Sequence, residues 1–169
     1  MAQGLYLIAL GSNQRHHRHG APRKVIHAAL AALGDAGLTV EKVSRVVTSR
    51  PVGPTRRDYA NAAAVVRSKA EPPDLLAILQ AIEARFGRRR RGQPWRARVL
   101  DLDIVLWSGG PWATPGLVVP HVAFRSRDFV LGPACEVAGD WCDPLSGRTL
   151  LQLRACLARR LEDAYASSP

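Results

Sequence analysis

The sequence predicts an α+β fold with a ferredoxin-like βαββαβ core, an antiparallel sheet with helices packed on it, extended by a C-terminal strand and helix. Two observations predict it. Short apolar or β-branched runs alternate with helix-period stripes in the order β-α-β-β-α-β, the split βαβ arrangement. Prolines and glycines mostly fall between these stretches, where they punctuate rather than interrupt. A third observation sets the scale: 169 residues, 47% of them hydrophobic, suffice for one buried core, so a single domain over residues 1–169 is expected.

Residues 5–10 (LYLIAL) form a near-continuous apolar run ending at Gly11-Ser12-Asn13, a buried strand followed by a turn. Pro22 is placed to open a helix; Ile26, Ala29, Leu30 and Leu33 give its apolar stripe, which stops near Gly34. Residues 38–48 are rich in β-branched side chains and read as one strand, and residues 49–57 (SRPVGPTRR) as a loop. A third strand is expected over 60–68. A second helix opens at Pro72-Pro73-Asp74, presents Leu75, Leu79, Ile82 and Phe86 on one face, and ends at Gly87. After an arginine-rich loop comes a strand over 99–107, with Leu100, Leu102, Ile104 and Leu106 as its buried face. Then follow a Pro/Gly-rich stretch (109–116), a short strand near 117–119, the segment 121–138, and a closing helix over 150–164, with a frayed tail at 167–169.

No run of 18 or more apolar residues suggests a membrane span, and the N-terminal stretch reads as a strand rather than a signal peptide. Three cysteines, Cys135, Cys142 and Cys156, lie in no metal-ligand spacing; a reducing, cytoplasmic setting is the expectation. The net charge of +10 admits a nucleic acid or a small polyphosphate as partner, and charge alone does not choose.

The chemistry concentrates in RFGRRRRGQPWRARVLDLDI, residues 85–104. Seven of the fourteen residues from Arg85 to Arg98 are arginine, and guanidinium groups pair with phosphate oxygens through planar double hydrogen bonds. In a strand, Asp101 and Asp103 share a face with Cα atoms about 6.5–7 Å apart. Two carboxylates that close repel unless a cation sits between them, and Mg²⁺ takes one or two carboxylates plus phosphate oxygens. Arginines for phosphate beside carboxylates for a divalent metal point to phosphoryl-type transfer from a metal–nucleotide complex. Trp95 is unusual in a basic loop and suits stacking on a ring or packing the loop shut. His16, His17 and His19 are flanked by Arg15 and Arg18, which oppose metal binding, and are read as solvated.

These motifs, taken in order, resemble the 6-hydroxymethyl-7,8-dihydropterin pyrophosphokinases of folate biosynthesis. The resemblance covers about residues 5–160 and rests on LGSN at 10–13, SRPVGP at 49–54, DYANAA at 58–63, IEARFGR at 82–88, W..R..DLDI at 95–104, VPH at 119–121 and RDF at 127–129. It implies transfer of the β,γ-diphosphate of ATP to the pterin hydroxyl with release of AMP. It also implies Asp101 and Asp103 as ligands of two Mg²⁺ ions, with Asp101 bridging them and orienting the pterin hydroxyl, and Arg88 and Arg98 as catalytic arginines. Trp95 and Phe129 resemble an aromatic sandwich around the pterin; Gly11, Ser49, Pro51, Val52, Tyr59 and Asn61 resemble its other contacts. Gln80, Glu83, Arg88, Arg90, Trp95, Arg98, Ile104, His121 and Arg127 resemble nucleotide contacts. No nucleic acid or membrane partner is implied, and a monomer is expected.

The chain departs from the family pattern at Pro94, where arginine is common, at Arg96-Ala97 in place of Gly-Pro, at Ser49 in place of threonine, and at Gly116 and Val118. Arg91 or Arg96 could compensate for the missing basic side chain. Two rivals remain: a nucleotidyltransferase, which would place a Gly-Ser turn and an Asp-x-Asp strand closer in sequence than Ser12 and Asp101, and an RNA-binding module, which leaves the paired aspartates, Asn61, Trp95 and Phe129 unexplained.

Overall fold

The computed structural model describes residues 3–49, 59–87 and 99–166. Its elements run β1 (Gly4–Ser12), α1 (Pro22–Asp35), β2 (Thr39–Val43), β3 (Val47–Ser49), β4 (Tyr59–Ser68), α2 (Pro72–Arg85), β5 (Asp101–Trp107), β6 (Trp112–Thr114), β7 (Leu117–Val119), a short 3-10 turn (Phe124–Ser126), α3 (Asp128–Ala138) and α4 (Leu150–Ala166). The main sheet has the order β2-β4-β1-β5, with β3 also on β4. Every pairing in it is antiparallel. This is the split βαβ order expected from the alternation of strand-like and helix-like stretches.

The sheet is buried on both faces. Tyr6, Ile8 and Leu10 of β1, alternate residues Ala60 to Val66 of β4, and Leu102 and Ile104 of β5 meet Val25, Ile26, Ala29 and Leu33 of α1 and Leu75, Leu79 and Ile82 of α2. On the opposite face Leu7, Ala63, Val65 and Val105 meet Leu131, Ala134 and Val137 of α3 and Leu150, Leu153 and Leu157 of α4. Two helices on one face were expected. The second helical layer was not, because residues 121–138 show no clean apolar period around Gly132 and Pro133.

Several boundaries move for identifiable reasons. The first helix continues through Gly34 to Asp35, and the residue with the left-handed backbone that ends it is Gly37, φ 85°. The strand expected over 38–48 breaks into β2 and β3 around Ser44. There the Ser44 N–H donates to the Ala63 carbonyl at 2.9 Å, and its hydroxyl accepts the Ala63 N–H at 2.9 Å, so a side chain replaces a ladder carbonyl. On β5 the expected buried face ends at Ile104. The β1 register jumps between Leu7↔Leu106 and Ile8↔Ile104, leaving Val105 as an extra residue and turning Leu106 onto the α3 side. The Pro/Gly-rich stretch holds β6, which pairs with β7, and the closing helix reaches Ala166. His16 is not solvated: it is 8% exposed, stacks on His19 and packs at a tilt against His17 and Phe86.

Candidate active site

The site is built on a row of paired residues crossing three strands. Asn61 of β4 faces Gly11 of β1, which faces Asp101 of β5; one step along, Ala63 faces Ala9, which faces Asp103. Directly opposed residues in antiparallel strands point to the same side of a sheet. Their side is that of Ala63, Val65 and Val105, the α3 side. With strands about 4.8 Å apart, Asn61 and Asp101 stand about 10 Å from each other across a glycine. A Cβ on Gly11 would lie 3.4 Å from Asn61 Oδ1, so glycine leaves that lane open. The result is a shallow trough with an amide on one bank, two carboxylates on the other, and a floor of Gly11 and Ala9 that runs under α3 at Ala63. The alanines of the floor were missed from sequence; the ANAAA run in β4, small residues at every second position beside an asparagine, was the signal available.

β5 lies at the edge of the described sheet. The N–H of Leu102, between the two aspartates, donates to Glu83 Oε1 at 2.8 Å, and Glu83 is only 1% exposed. A buried carboxylate from α2 therefore holds the strand at the point where both aspartates leave it. Beyond the aspartates, the His121 N–H donates to the Val105 carbonyl at 3.1 Å, which ties the segment after β7 to β5. His121 Nδ1 accepts the Ala123 N–H at 3.2 Å, so the neutral ring carries its proton on Nε2, which lies 4.0 Å from Asp103 Oδ2. The donor set suits a hard divalent cation: two half-buried carboxylates on one face, Asp103 with its side chain 40% exposed, above a floor with no bulky side chain.

Phe129 opens α3 and is 38% exposed, with the Arg127 guanidinium carbon 5.8 Å from its ring centroid. The segment carrying both is anchored by a bidentate pair: Arg125 donates to Asp143 at 2.8 and 2.6 Å. Burial alone would raise the Asp143 carboxyl, but hydrogen bonds from Arg125, Ser146 and the Leu145 N–H hold it down at about 2.

The structure thus brings together Gly11, Asn61, Asp101, Asp103 and His121, with Tyr59 opening β4 on the same face as Asn61. Arg127 and Phe129 form a pair on the helix covering that face. Ile104 and Glu83 lie on the other side of β5: Ile104 belongs to the core beneath α1 and α2, and Glu83 is occupied with the strand backbone. Gln80 sits one turn earlier on α2, half-buried. Ser49 ends β3 by its backbone pairing with Tyr59. Pro51, Val52, Arg88, Arg90, Trp95 and Arg98 lie outside the described residues, as do Arg91, Pro94, Arg96 and Ala97.

Residues 7–139 match the family model for 7,8-dihydro-6-hydroxymethylpterin-pyrophosphokinase. The chain belongs to this family. A 2-amino-4-hydroxy-6-hydroxymethyldihydropteridine pyrophosphokinase of Pseudomonas aeruginosa is 40% identical over 157 residues, 92% of either chain. A Synechocystis protein of the same name is 42% identical over 118 residues, which are 70% of this chain and 60% of that one. Among solved structures, the Plasmodium falciparum HPPK-DHPS crystallised with pteroate matches 98% of this chain with a TM-score of 0.75 at 11% identity. This chain spans 46% of that one, so the likeness speaks for the fold of the pyrophosphokinase family and not for the rest of that protein.

Proposed function

We infer that this chain transfers the β,γ-diphosphate of ATP to the hydroxymethyl group of 6-hydroxymethyl-7,8-dihydropterin, releasing AMP, as a step of folate biosynthesis. The observation that carries the reading is the row Asn61–Gly11–Asp101 with Asp103 beside it. A flat, amide-bearing ring lies over Gly11 with Asn61 reading its edge, and that places its hydroxymethyl arm toward the carboxylates. In the transfer the pterin hydroxyl oxygen attacks the β-phosphorus and gives up its proton to solvent, a new P–O bond forms, the bond from that phosphorus to the oxygen on the α-phosphorus breaks, and AMP leaves. No covalent enzyme intermediate is required; positioning and charge neutralisation supply the rate.

Asp101 and Asp103 would hold two Mg²⁺ ions, whose contribution when bound is to neutralise the polyphosphate and polarise the phosphorus. Asp101, nearer the glycine lane, also orients the attacking hydroxyl. His121 offers its Nε2 proton to a phosphate oxygen beside Asp103. Phe129 covers the pterin ring together with Trp95, and Arg127 reaches the nucleotide from the same helix end. Arg88 and Arg98 meet the moving phosphates, and Arg90 adds a further cation; Arg91 or Arg96 supplies the cation that Pro94 cannot. Ser49, Pro51, Val52 and Tyr59 complete the pterin pocket, and Gln80 with the backbone at Ile104 flanks the adenosine. For Glu83 we assign contact through the strand it holds. The protein acts as a cytoplasmic monomer on small molecules.

The test is a product assay with ATP, Mg²⁺ and the pterin, with nucleotides separated by chromatography. AMP formed only in the presence of pterin is the expected result. Pyrophosphate release would replace this reading with nucleotidyl transfer.

A further inference from the structure

The pterin reading needs two walls in register: Phe129 on one side, and on the other the β3–β4 edge bearing Asn61 and Tyr59. One helix touches both. β3 is not a simple continuation of β2. Across the three residues of the break only the Ser44 N–H keeps a bond to β4, and the remaining backbone bonds go to side chains: Ser44 itself, one from α1 and one from α3. The Ser44 hydroxyl serves the Ala63 N–H and donates to the Arg45 carbonyl at 2.8 Å. Arg23 of α1 donates to the Val46 carbonyl at 3.0 Å. Glu136 of α3 accepts the Arg45 N–H on Oε2 at 2.9 Å and the Arg45 guanidinium on Oε1 at 3.2 Å. Directly after the break, Val47 pairs with Asn61 and Ser49 with Tyr59. The chain therefore enters β3 two residues after the point that Glu136 holds.

Glu136 lies seven positions after Phe129 in α3, on the same stripe of the helix and about 10 Å along its axis. Between them Leu131 and Ala134 seat the helix against Ala63 and Val65 of β4, so it does not slide freely.

We propose that Glu136 is a positioning residue: by clamping the β2–β3 break to the helix that carries Phe129, it holds the two walls of the pterin pocket at a fixed separation. The proposal rests on the function inferred above. The backbone bond, not the ion pair, does this, because the Arg45 side chain is 86% exposed and such a pair is screened by water. The Arg45 N–H is also the first cause that draws the Glu136 carboxyl below its ordinary range, so it stays charged at neutral pH.

The experiment measures KM for pterin and for ATP by AMP release in wild type, Glu136→Ala, Glu136→Gln, Glu136→Lys and Arg45→Ala, with melting curves and a pterin titration followed by fluorescence. Glu136→Ala is expected to raise the pterin KM and the fluorescence Kd about tenfold while kcat and the ATP KM stay within about twofold. Glu136→Gln, whose amide oxygen still accepts the backbone N–H, and Arg45→Ala, which loses only the exposed guanidinium, are expected to stay near wild type. Glu136→Lys, a solvent-tolerant side chain with no acceptor, should repeat the alanine result. An unchanged pterin KM, or equal rises in both KM values with a lowered Tm, overturns the proposal. Wild type that forms no AMP with pterin overturns the functional reading itself, whereas an active wild type with unaltered Glu136 variants overturns only this inference.

Discussion

Leu102 and Ile104 turn their side chains under α1 and α2, while Asp101 and Asp103, each one residue away, turn theirs toward the α3 side. On the first face the strand meets a continuous apolar core, and the polar group that reaches it, Glu83, is spent on the strand's own backbone. On the second face the apolar contacts of β5 begin only at Val105, the residue of the β-bulge, and the space before it is floored by glycine and alanine. Pleating makes this division available to any strand. The bulge sharpens it, because it brings Leu106 onto the second face and closes the polar stretch there. Along β5 the first face therefore carries packing alone, whereas the second carries the paired carboxylates and then, from Val105 onward, packing as well.

If that division holds, the two faces fail in different ways. The largest effect is expected for Asp101→Ala and Asp103→Ala: AMP formation falls at least about a thousandfold while Tm stays within a few degrees. Retained turnover in either variant would remove the carboxylates from the chemistry. On the other face, Leu102→Ala opens a cavity beneath α2, and urea denaturation should show a loss of about 3 kcal/mol with kcat per folded molecule little changed. Glu83→Ala leaves the Leu102 N–H without this acceptor; a loss of about 2–3 kcal/mol is expected, together with a weakened affinity for Mn²⁺ measured by electron paramagnetic resonance. This variant tests whether the faces communicate, since stability loss without altered metal binding would show that they do not.

The smallest effect concerns the anchor of the Arg127–Phe129 segment. The Asp143 carboxyl, near 2 in the folded protein, lies below its ordinary value of 3.8, so its stabilisation is fully present above about pH 4 and is lost as pH falls toward 2. Asp143→Asn should remove about 2 kcal/mol at pH 6 and flatten the acid limb of stability against pH. An acid limb of unchanged slope in the variant would assign that titration to other carboxylates.

Much of the site was legible from residue type and spacing. Asp-Leu-Asp within an apolar strand announces two carboxylates on one face because the strand period is two, and the arginines before it announce an anion. Phe129 and His121 stood out only through the ordered family motifs, since a lone aromatic or histidine has no local signature. Ser44 shows why the second strand was misjudged: β-branched residues lie on both sides of it, and the competing hydroxyl–backbone bonds to Ala63 and Arg45 interrupt the ladder. His16 was read as solvated from its charged neighbours, yet it packs on Phe86, a partner 70 positions away that no local pattern signals.

Local periodicity, turn residues and the Asp-x-Asp spacing by themselves determined the element order of the βαββαβ core, its split βαβ topology and the kind of chemistry. These depend on neighbours within a few positions, where backbone geometry is nearly universal. Tertiary structure alone decided that Asn61, Gly11 and Asp101 share one row, that Val105 bulges, that Glu83 holds the strand carrying both aspartates, and that Glu136 grips the β2–β3 break. Those outcomes depend on register between distant segments. Register is set by the sum of packing on both faces of the sheet, not by any one stretch of chain.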